Sequence, residues 1–359
     1  MVSLKEKIKE IIMLNGPITV SQYMALALTD CEFGYYQTQT PFGRTGDFIT
    51  APEISQLFGE MIGIWTLANW NARGCPQPFI LAEMGPGRGT LMDDILRTIQ
   101  KLSTTAFNAA EIFLIEISEK LAKEQKKRLS SYQKKIHSLK NFSEIPSQPL
   151  FLIANEFFDA LPINQYIKSD GQWKERLITI NQEGDFIFVT SPHKLPSSCL
   201  QSYCSKMPDG TIFEHAPSRH QLMQKISNHL RKVTGSALLI DYGASDLAFG
   251  DTLQAISKHR FRDIFEAPGD HDLTSHVDFS FLKKIALEQG CFAEILEQGE
   301  FLVKMGLLER AQQLGAGKST TQKDKICQDI ERLAGPDQMG KLFKVLYVCD
   351  KNIPLPPQF

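Results

Sequence analysis

The chain has 359 residues, 42% of them hydrophobic and 22% charged, with a formal net charge of -2. This composition belongs to a globular protein with a sizeable core, and the near-neutral charge excludes the broad basic surface needed for general nucleic-acid or anionic-membrane binding. Seven cysteines, scattered and without a CxxC pair, fit free thiols rather than a disulfide framework or a zinc site.

In chain order, the opening "MVSLKEKIKE" lacks the apolar core of a secretory signal and the Arg-rich, acid-free character of a transit peptide, so a cytoplasmic location is expected. No apolar run is long enough for a bilayer, so no membrane insertion is expected. Ser3 with Glu6 and Thr19 with Gln22 make two capping boxes, each opening a helix. Thr50 and Glu53 are expected to cap a third, with Ile54, Leu57, Phe58, Met61, Ile62 and Trp65 on its buried face. Strands and helices then alternate: "FILAEM", "TLMDDILRTIQKL", "EIFLIEIS", "EKLAKEQKKRL", a weaker strand near Ile136, and "PLFLIANEFF". That order implies a parallel, doubly wound sheet. After Pro162, "QWKERLITI" and "DFIFVT" read as an antiparallel hairpin. The alternation resumes with helix "HQLMQKISNHLRKV", strand "SALLIDYG", helix "FSFLKKIALEQG", strands at "AEILEQ" and "EFLVKMG", and a last strand "LFKVLYVCD".

The bend between the first strand and its helix reads Glu83-x-Gly85-x-Gly87-x-Gly89. A dinucleotide fingerprint would place its third glycine at position 90, which is Thr90. Glu83, Asp93 and Asp94 crowd the bend with negative charge and argue against a pyrophosphate, with Arg88 the dissenting charge. They suit a cationic, phosphate-free ligand such as S-adenosylmethionine. Glu116, at the end of the next strand, is placed to hold a ribose. The fourth strand delivers Asn155, Glu156 and Asp159 to the same sheet edge, with Phe157 and Phe158 as candidate walls. Asp241, Tyr242 and His276 are further candidates on the substrate side. The turn-rich "PFGRTGDFITAPE" is expected to cover the site, with Asp47 and Glu53 as contacts. "DHDLTSHVDF" has no recognised metal-ligand spacing, and no metal is expected.

Seven blocks in order, "TPFGRTGDFITAPEISQLFGE", "EMGPGRGTLMDDIL", "ANEFFDALP", "LLIDYG", "GDTLQA", "DLTSHVDF" and "LFKVLYV", resemble the MidA-like family of S-adenosylmethionine-dependent methyltransferases. The family includes a mitochondrial protein-arginine methyltransferase that assists assembly of respiratory complex I. The resemblance implies an α/β fold of the class I, Rossmann-like methyltransferase type: a seven-stranded, mostly parallel sheet with an antiparallel final strand, an N-terminal helical cap and an inserted α+β subdomain. Residues 1–74 would form the cap and covering loop, 75–165 and 231–359 the core, and 166–230 the insertion. Glu83, Gly85, Gly87 and Gly89 would cradle the methionine end of the cofactor, and Glu116 its ribose. Glu156 and Asp159 would bind the guanidinium of an arginine, with Asn155 orienting them. Two positions depart from the family. Thr40 stands where an Asp is usual, and Lys140 and Asn141 stand where an acid often meets the adenine, leaving Asn141 as the adenine-side candidate. The implied activity is arginine methylation of a protein, a respiratory-complex subunit being one class of partner. The alternatives are a small-molecule methyltransferase and a cofactor-binding assembly factor without turnover.

Overall fold

The computed structural model describes residues 3–38, 50–194, 206–257 and 260–350. Its centre is a mixed sheet whose main strands, in chain order, are β1 (Phe79–Met84), β2 (Ala110–Ile115), β3 (Ile136–Leu139), β4 (Leu150–Asn155), β5 (Gly235–Ala244), β6 (Cys291–Glu297) and β7 (Phe343–Asp350). They lie in the order β3-β2-β1-β4-β5-β7-β6, and the short strand Val277–Asp278 pairs with β5 as an eighth member. β1 to β5 run parallel, whereas β7 is antiparallel to both β5 and β6.

The apolar runs of β1 and β4 are buried along their whole length. Period-two alternation divides them between two cores. Phe79, Leu81, Phe151 and Ile153 face the helices Gln56–Ala72 and Thr90–Leu102. Ile80, Ala82, Leu150, Leu152 and Ala154 face the helices Pro217–Lys232 and Phe279–Glu288. Strand order reverses between β1 and β4, so their carboxyl ends open the crevice where doubly wound sheets bind ligands.

A five-stranded sheet stands beside this body, built from Asn164–Ser169, Gln172–Ile180, Phe186–Lys194, Ile212–His215 and the N-terminal Ile18–Thr19. Both N-terminal capping boxes form as expected. Leu4, Ile8 and Ile12 of the first helix share a core with Ile178 and Phe186 of the hairpin and with Leu273. The N-terminal helices and the hairpin therefore form one packed unit. Helix Gln56–Ala72, expected with the cap, packs on the main sheet instead. Helix Pro217–Lys232, expected almost wholly within the insertion, packs on its other face.

Two local expectations need correction. The third helix is broken at Ser55, which is extended (φ -156) and caps a separate helix, Gln56–Ala72, by accepting from Leu57 N–H. Thr50 makes no side-chain cap on the short helix Ala51–Ile54. "EFLVKMG" is not a strand: Glu300 to Lys304 belong to the helix Gln298–Lys304, and Met305 caps it. Its burial follows a helical stripe, with Gln298, Gly299, Phe301 and Leu302 inside, and Gln298 Nε2 donates to Leu333 O at 2.8 Å. Tertiary packing here overrides the β-propensity of Phe and Val.

Candidate active site

The glycine bend is built as its spacing demands. Gly85, Gly87 and Gly89 have φ of 62, 50 and 77°, the left-handed region that glycine enters without strain. Gly85 also lets Phe157 close against the bend, since a Cβ there would lie 2.7 Å from Phe157 Cδ2. Glu83 is the penultimate residue of β1 and is 3% exposed. Its Oε2 has no hydrogen-bond partner. Burial pushes its carboxyl up to about 8, the Met92 backbone N–H pulls it back, and the Glu116 charge adds to the rise. A buried acid with one oxygen unsatisfied lacks a cation or donor, and Glu83 lines a small cavity with Gly85, Gly87, Thr90, Asn155 and Glu156. The chain's own residues thus fit a ligand that carries an ammonium group.

Glu116 lies just past β2, and burial raises its carboxyl. Its Oε1 accepts from Ser118 N–H at 2.8 Å and its Oε2 from Gln125 Nε2 at 3.3 Å. Gln125 also donates to Gly87 O at 2.8 Å and so ties Glu116 to the bend. Nothing in the motif spacing pointed to Gln125; only the fold brings its helix under the glycines. The charge argument at the bend narrows to Glu83. Asp93 accepts from Tyr132 Oη at 2.6 Å, and Asp94 pairs with Arg97 at 2.5 Å. Glu53, considered both as a cap and as a contact, accepts from Thr90 Oγ1 at 2.8 Å and lines the cavity. Asn141 is exposed, outside that cavity, with its N–H bound to Glu144 Oε1 at 2.8 Å. Asp47 lies outside the described residues.

At the end of β4 the chain turns sharply, and Glu156 takes a left-handed φ of 49°. A non-glycine residue in that region stores strain, which is common at functional sites. Glu156 N–H donates to Ile240 O at 2.9 Å, while its Oε1 accepts from Ala51 N–H and Asn155 Nδ2, both at 3.2 Å. Burial and the neighbouring Asp159 charge push its carboxyl up to about 7. Asn155 Oδ1 is buried without a partner. Glu156 lines the glycine-bend cavity and also a second, open cleft of ≈ 890 Å³, and so stands between the two.

That cleft gathers Glu156, Asp159, Tyr36, Tyr242, Asp272 and His276. Burial pushes Asp159 up to about 6, opposed chiefly by the Arg219 guanidinium. Tyr36 Oη donates to Asp272 Oδ1 at 3.1 Å, placing an N-terminal residue in the wall. Asp241 does not line the cleft: its Oδ2 accepts from Phe158 and Asp159 N–H at 2.9 and 3.1 Å, and its Oδ1 from Tyr242 N–H at 2.9 Å. It holds the turn that presents Asp159. Phe158 is 1% exposed within the core, and Phe157 packs at the bend; neither lines the cleft. Arg219, which sequence reasoning missed, is buried and donates to Asp159 O (3.0 Å), Ser275 Oγ (2.5 Å) and His276 O (2.7 Å). It clamps the loop bearing Asp159 to the loop bearing His276.

The chain is similar to known proteins along most of its length. The profile of the family Methyltransf_28, described as S-adenosyl-L-methionine-dependent methyltransferases, matches residues 61–296. The protein arginine methyltransferase NDUFAF7 homolog, mitochondrial, of Drosophila melanogaster is 35% identical over 96% of this chain and 84% of its own length. Protein arginine methyltransferase NDUFAF7, mitochondrial, is 33% identical in both Danio rerio (94% and 85%) and Homo sapiens (92% and 79%). A crystal structure from Burkholderia thailandensis, with S-adenosyl-homocysteine bound, superposes with a TM-score of 0.84 over 96% of this chain and 91% of its own at 24% identity, a likeness of fold. The expectation of a cytoplasmic location is corrected by these relatives, which are named as mitochondrial proteins. No described helix is long and apolar enough to cross a membrane. The chain belongs to the Methyltransf_28, or MidA-like, family of S-adenosylmethionine-dependent methyltransferases, and S-adenosylmethionine is its cofactor.

Proposed function

We propose that the protein methylates the guanidinium of an arginine in a protein substrate, with a respiratory-complex subunit as the class of partner. The names of the curated relatives support the arginine reading. The observation that carries it is the position of Glu156, which lines both the glycine-bend cavity and the acidic cleft, the latter together with Asp159. We read the main sheet as a class I methyltransferase core whose antiparallel β7 lies between β5 and β6, and the N-terminal and hairpin unit as the substrate side.

On this reading Glu83 takes the ammonium group of the cofactor, Gly85, Gly87 and Gly89 admit its methionine end, and Glu116 takes the ribose hydroxyls. S-adenosylmethionine supplies an electrophilic methyl group bound to sulfur. The protein's main task is then alignment, because an in-line displacement depends on the placing of nucleophile and methyl. An arginine side chain is cationic at every working pH and presents a planar fork of N–H donors. Glu156 Oε1 is already held by Ala51 and Asn155, and Oε2 is given no donor by the described residues. Glu156 Oε2 and the Asp159 carboxylate accept the fork bidentately and leave one nitrogen aimed at the cofactor cavity. The substrate cation also offsets the repulsion between the two acids, which raises Glu156. The Glu156 carboxylate, kept ionised by the substrate cation, is then placed to take the proton that the attacking nitrogen sheds.

The test incubates purified protein with methyl-tritiated S-adenosylmethionine and a lysate from cells lacking the gene. Label in protein, recovered as methylarginine after acid hydrolysis, is expected. Glu156→Gln should lower turnover by about 10²–10³-fold while S-adenosyl-homocysteine affinity stays within about twofold, because Glu156 is not the ammonium partner. Label confined to small molecules would replace the proposal with a small-molecule methyltransferase. Cofactor binding with no label anywhere would replace it with an assembly factor.

A further inference from the structure

The cleft is not uniformly acidic. Glu156, Asp159 and Asp272 line one part of it, and another wall comes from residues of the segment Arg332 to Lys344. Arg332 and Lys341 on that wall are exposed, and no hydrogen bond or ion pair engages their side chains among the described residues. Lys344 donates to Lys341 O and lies 4.0 Å from Glu297. Asp337 is the one exposed acid on this wall among the described residues. Arg332 is near enough to act on the Glu156 carboxyl, lowering it against the effect of burial.

The mouth is also apolar. Phe261 is 76% exposed and lines the cleft from the strand Arg260–Arg262, and Leu342, 50% exposed, lines it from the Arg332 to Lys344 segment. Exposed apolar side chains at the rim of a site offer contact area to a peptide that enters it. The ≈ 890 Å³ cleft lies near the upper limit of small-ligand pockets, about 300–1,000 Å³. It holds more than one arginine side chain.

A target arginine answers part of the acidic lining and leaves the exposed Arg332 and Lys341 side chains without a hydrogen-bond or ion-pair partner among the described residues. Charge complementarity then favours an occupant that is negative beside those two cations. We infer that the substrate is a peptide segment in which carboxylate side chains flank the target arginine: the arginine descends to Glu156 and Asp159, the flanking acids pair with Arg332 and Lys341, and apolar neighbours rest on Phe261 and Leu342. The inference rests on the arginine reading above and adds the substrate's sequence class. Like charges facing each other also select against arginines set among lysines, a repulsive element of specificity.

The experiment compares three twelve-residue peptides with a central arginine flanked by two aspartates, two alanines or two lysines on each side. Methyl transfer is followed with the full-length protein, and binding by fluorescence anisotropy with S-adenosyl-homocysteine present. Exposed ion pairs are individually weak, so two of them should favour the aspartate peptide over the alanine peptide by about tenfold in kcat/KM. The preference should appear in KM rather than kcat and shrink as salt is raised. The double variant R332E/K341E should shift the preference to the lysine peptide, whereas R332K/K341R should keep the original order. Equal use of the three peptides, or a preference unchanged in R332E/K341E, overturns the inference and leaves arginine methylation standing. Failure to methylate or bind any of them overturns the arginine reading and this inference with it.

Discussion

Glu83 offers the sharpest test of the cofactor assignment, because its burial is measurable through pH. Its folded carboxyl titrates near 8 against an ordinary value of 4.5, so the folded protein without ligand keeps a proton that the unfolded chain has lost. The folded pKa is raised, so the linkage runs against stability as pH rises from about 4.5 to about 8. At 1.36 kcal/mol per unit, the burden at pH 7 is ~3 kcal/mol, an upper figure for a group 3% exposed. Glu83→Gln removes the titration and keeps the shape. Between pH 5 and pH 8, wild-type stability in urea should fall by ~3–4 kcal/mol relative to the variant. Cofactor binding should reverse the burden, since an ammonium group beside Oε2 favours the carboxylate. A carboxyl titrating near 8 is about nine-tenths protonated at pH 7, so S-adenosyl-homocysteine binding should release close to one proton. Calorimetry in buffers of different ionisation enthalpy reads that proton directly. A binding enthalpy independent of buffer, or a stability gap independent of pH, would refute the reasoning. Glu83→Gln should also weaken cofactor binding by at least tenfold, with loss of the proton release.

Arginine stays charged throughout, so the pH dependence of methylation should come from the enzyme. With Glu156 near 7 and Asp159 near 6, kcat/KM should climb as pH rises through that range and then level off; a flat or falling profile between pH 5.5 and 8 would exclude the two acids as guanidinium acceptors. Arg219→Met leaves the carbonyls of Asp159, Ser275 and His276 without their buried donor and should cost about 3–5 kcal/mol in urea unfolding. Gly85→Ala, at φ 62° and with its Cβ 2.7 Å from Phe157, should destabilise by about 1–3 kcal/mol and weaken S-adenosyl-homocysteine binding, measured by titration calorimetry. Gly16→Ala, at φ 84° with open space around it, should leave that affinity unchanged and serves as the control.

Local signals carried much of this fold. The capping boxes at Ser3 and Thr19, the alternation of β1 to β4, and the three left-handed glycines follow from hydrogen-bonding chemistry and conformational freedom inside windows of a few residues. The same windows misread "EFLVKMG", where helical burial against Leu333 and Ala334 outweighs strand propensity, and joined two helices across the extended Ser55. The acids of "ANEFFDALP" were legible as a group, but their separate positions were not. Strand-end position is a property of the sequence, whereas facing a cavity is a property of the packed turn. Glu156 and Asp159 reach the cleft, while Phe158 turns into the core and Asp241 is consumed by three backbone amides.

The glycine-and-acid pattern, with the motif blocks, sufficed to identify a cofactor class and a family from the sequence alone, because those features depend on neighbours a few positions apart. The tertiary structure alone decided that Glu83 keeps one carboxyl oxygen without a partner while Asp93 and Asp94 are engaged, that Gln125 joins the bend to Glu116, and that Arg219 locks two loops together. It also set Tyr36 and Arg332, almost three hundred residues apart in the chain, on the walls of one cleft. Contacts of that range depend on how the helices and sheets pack, and no periodicity or local propensity encodes them.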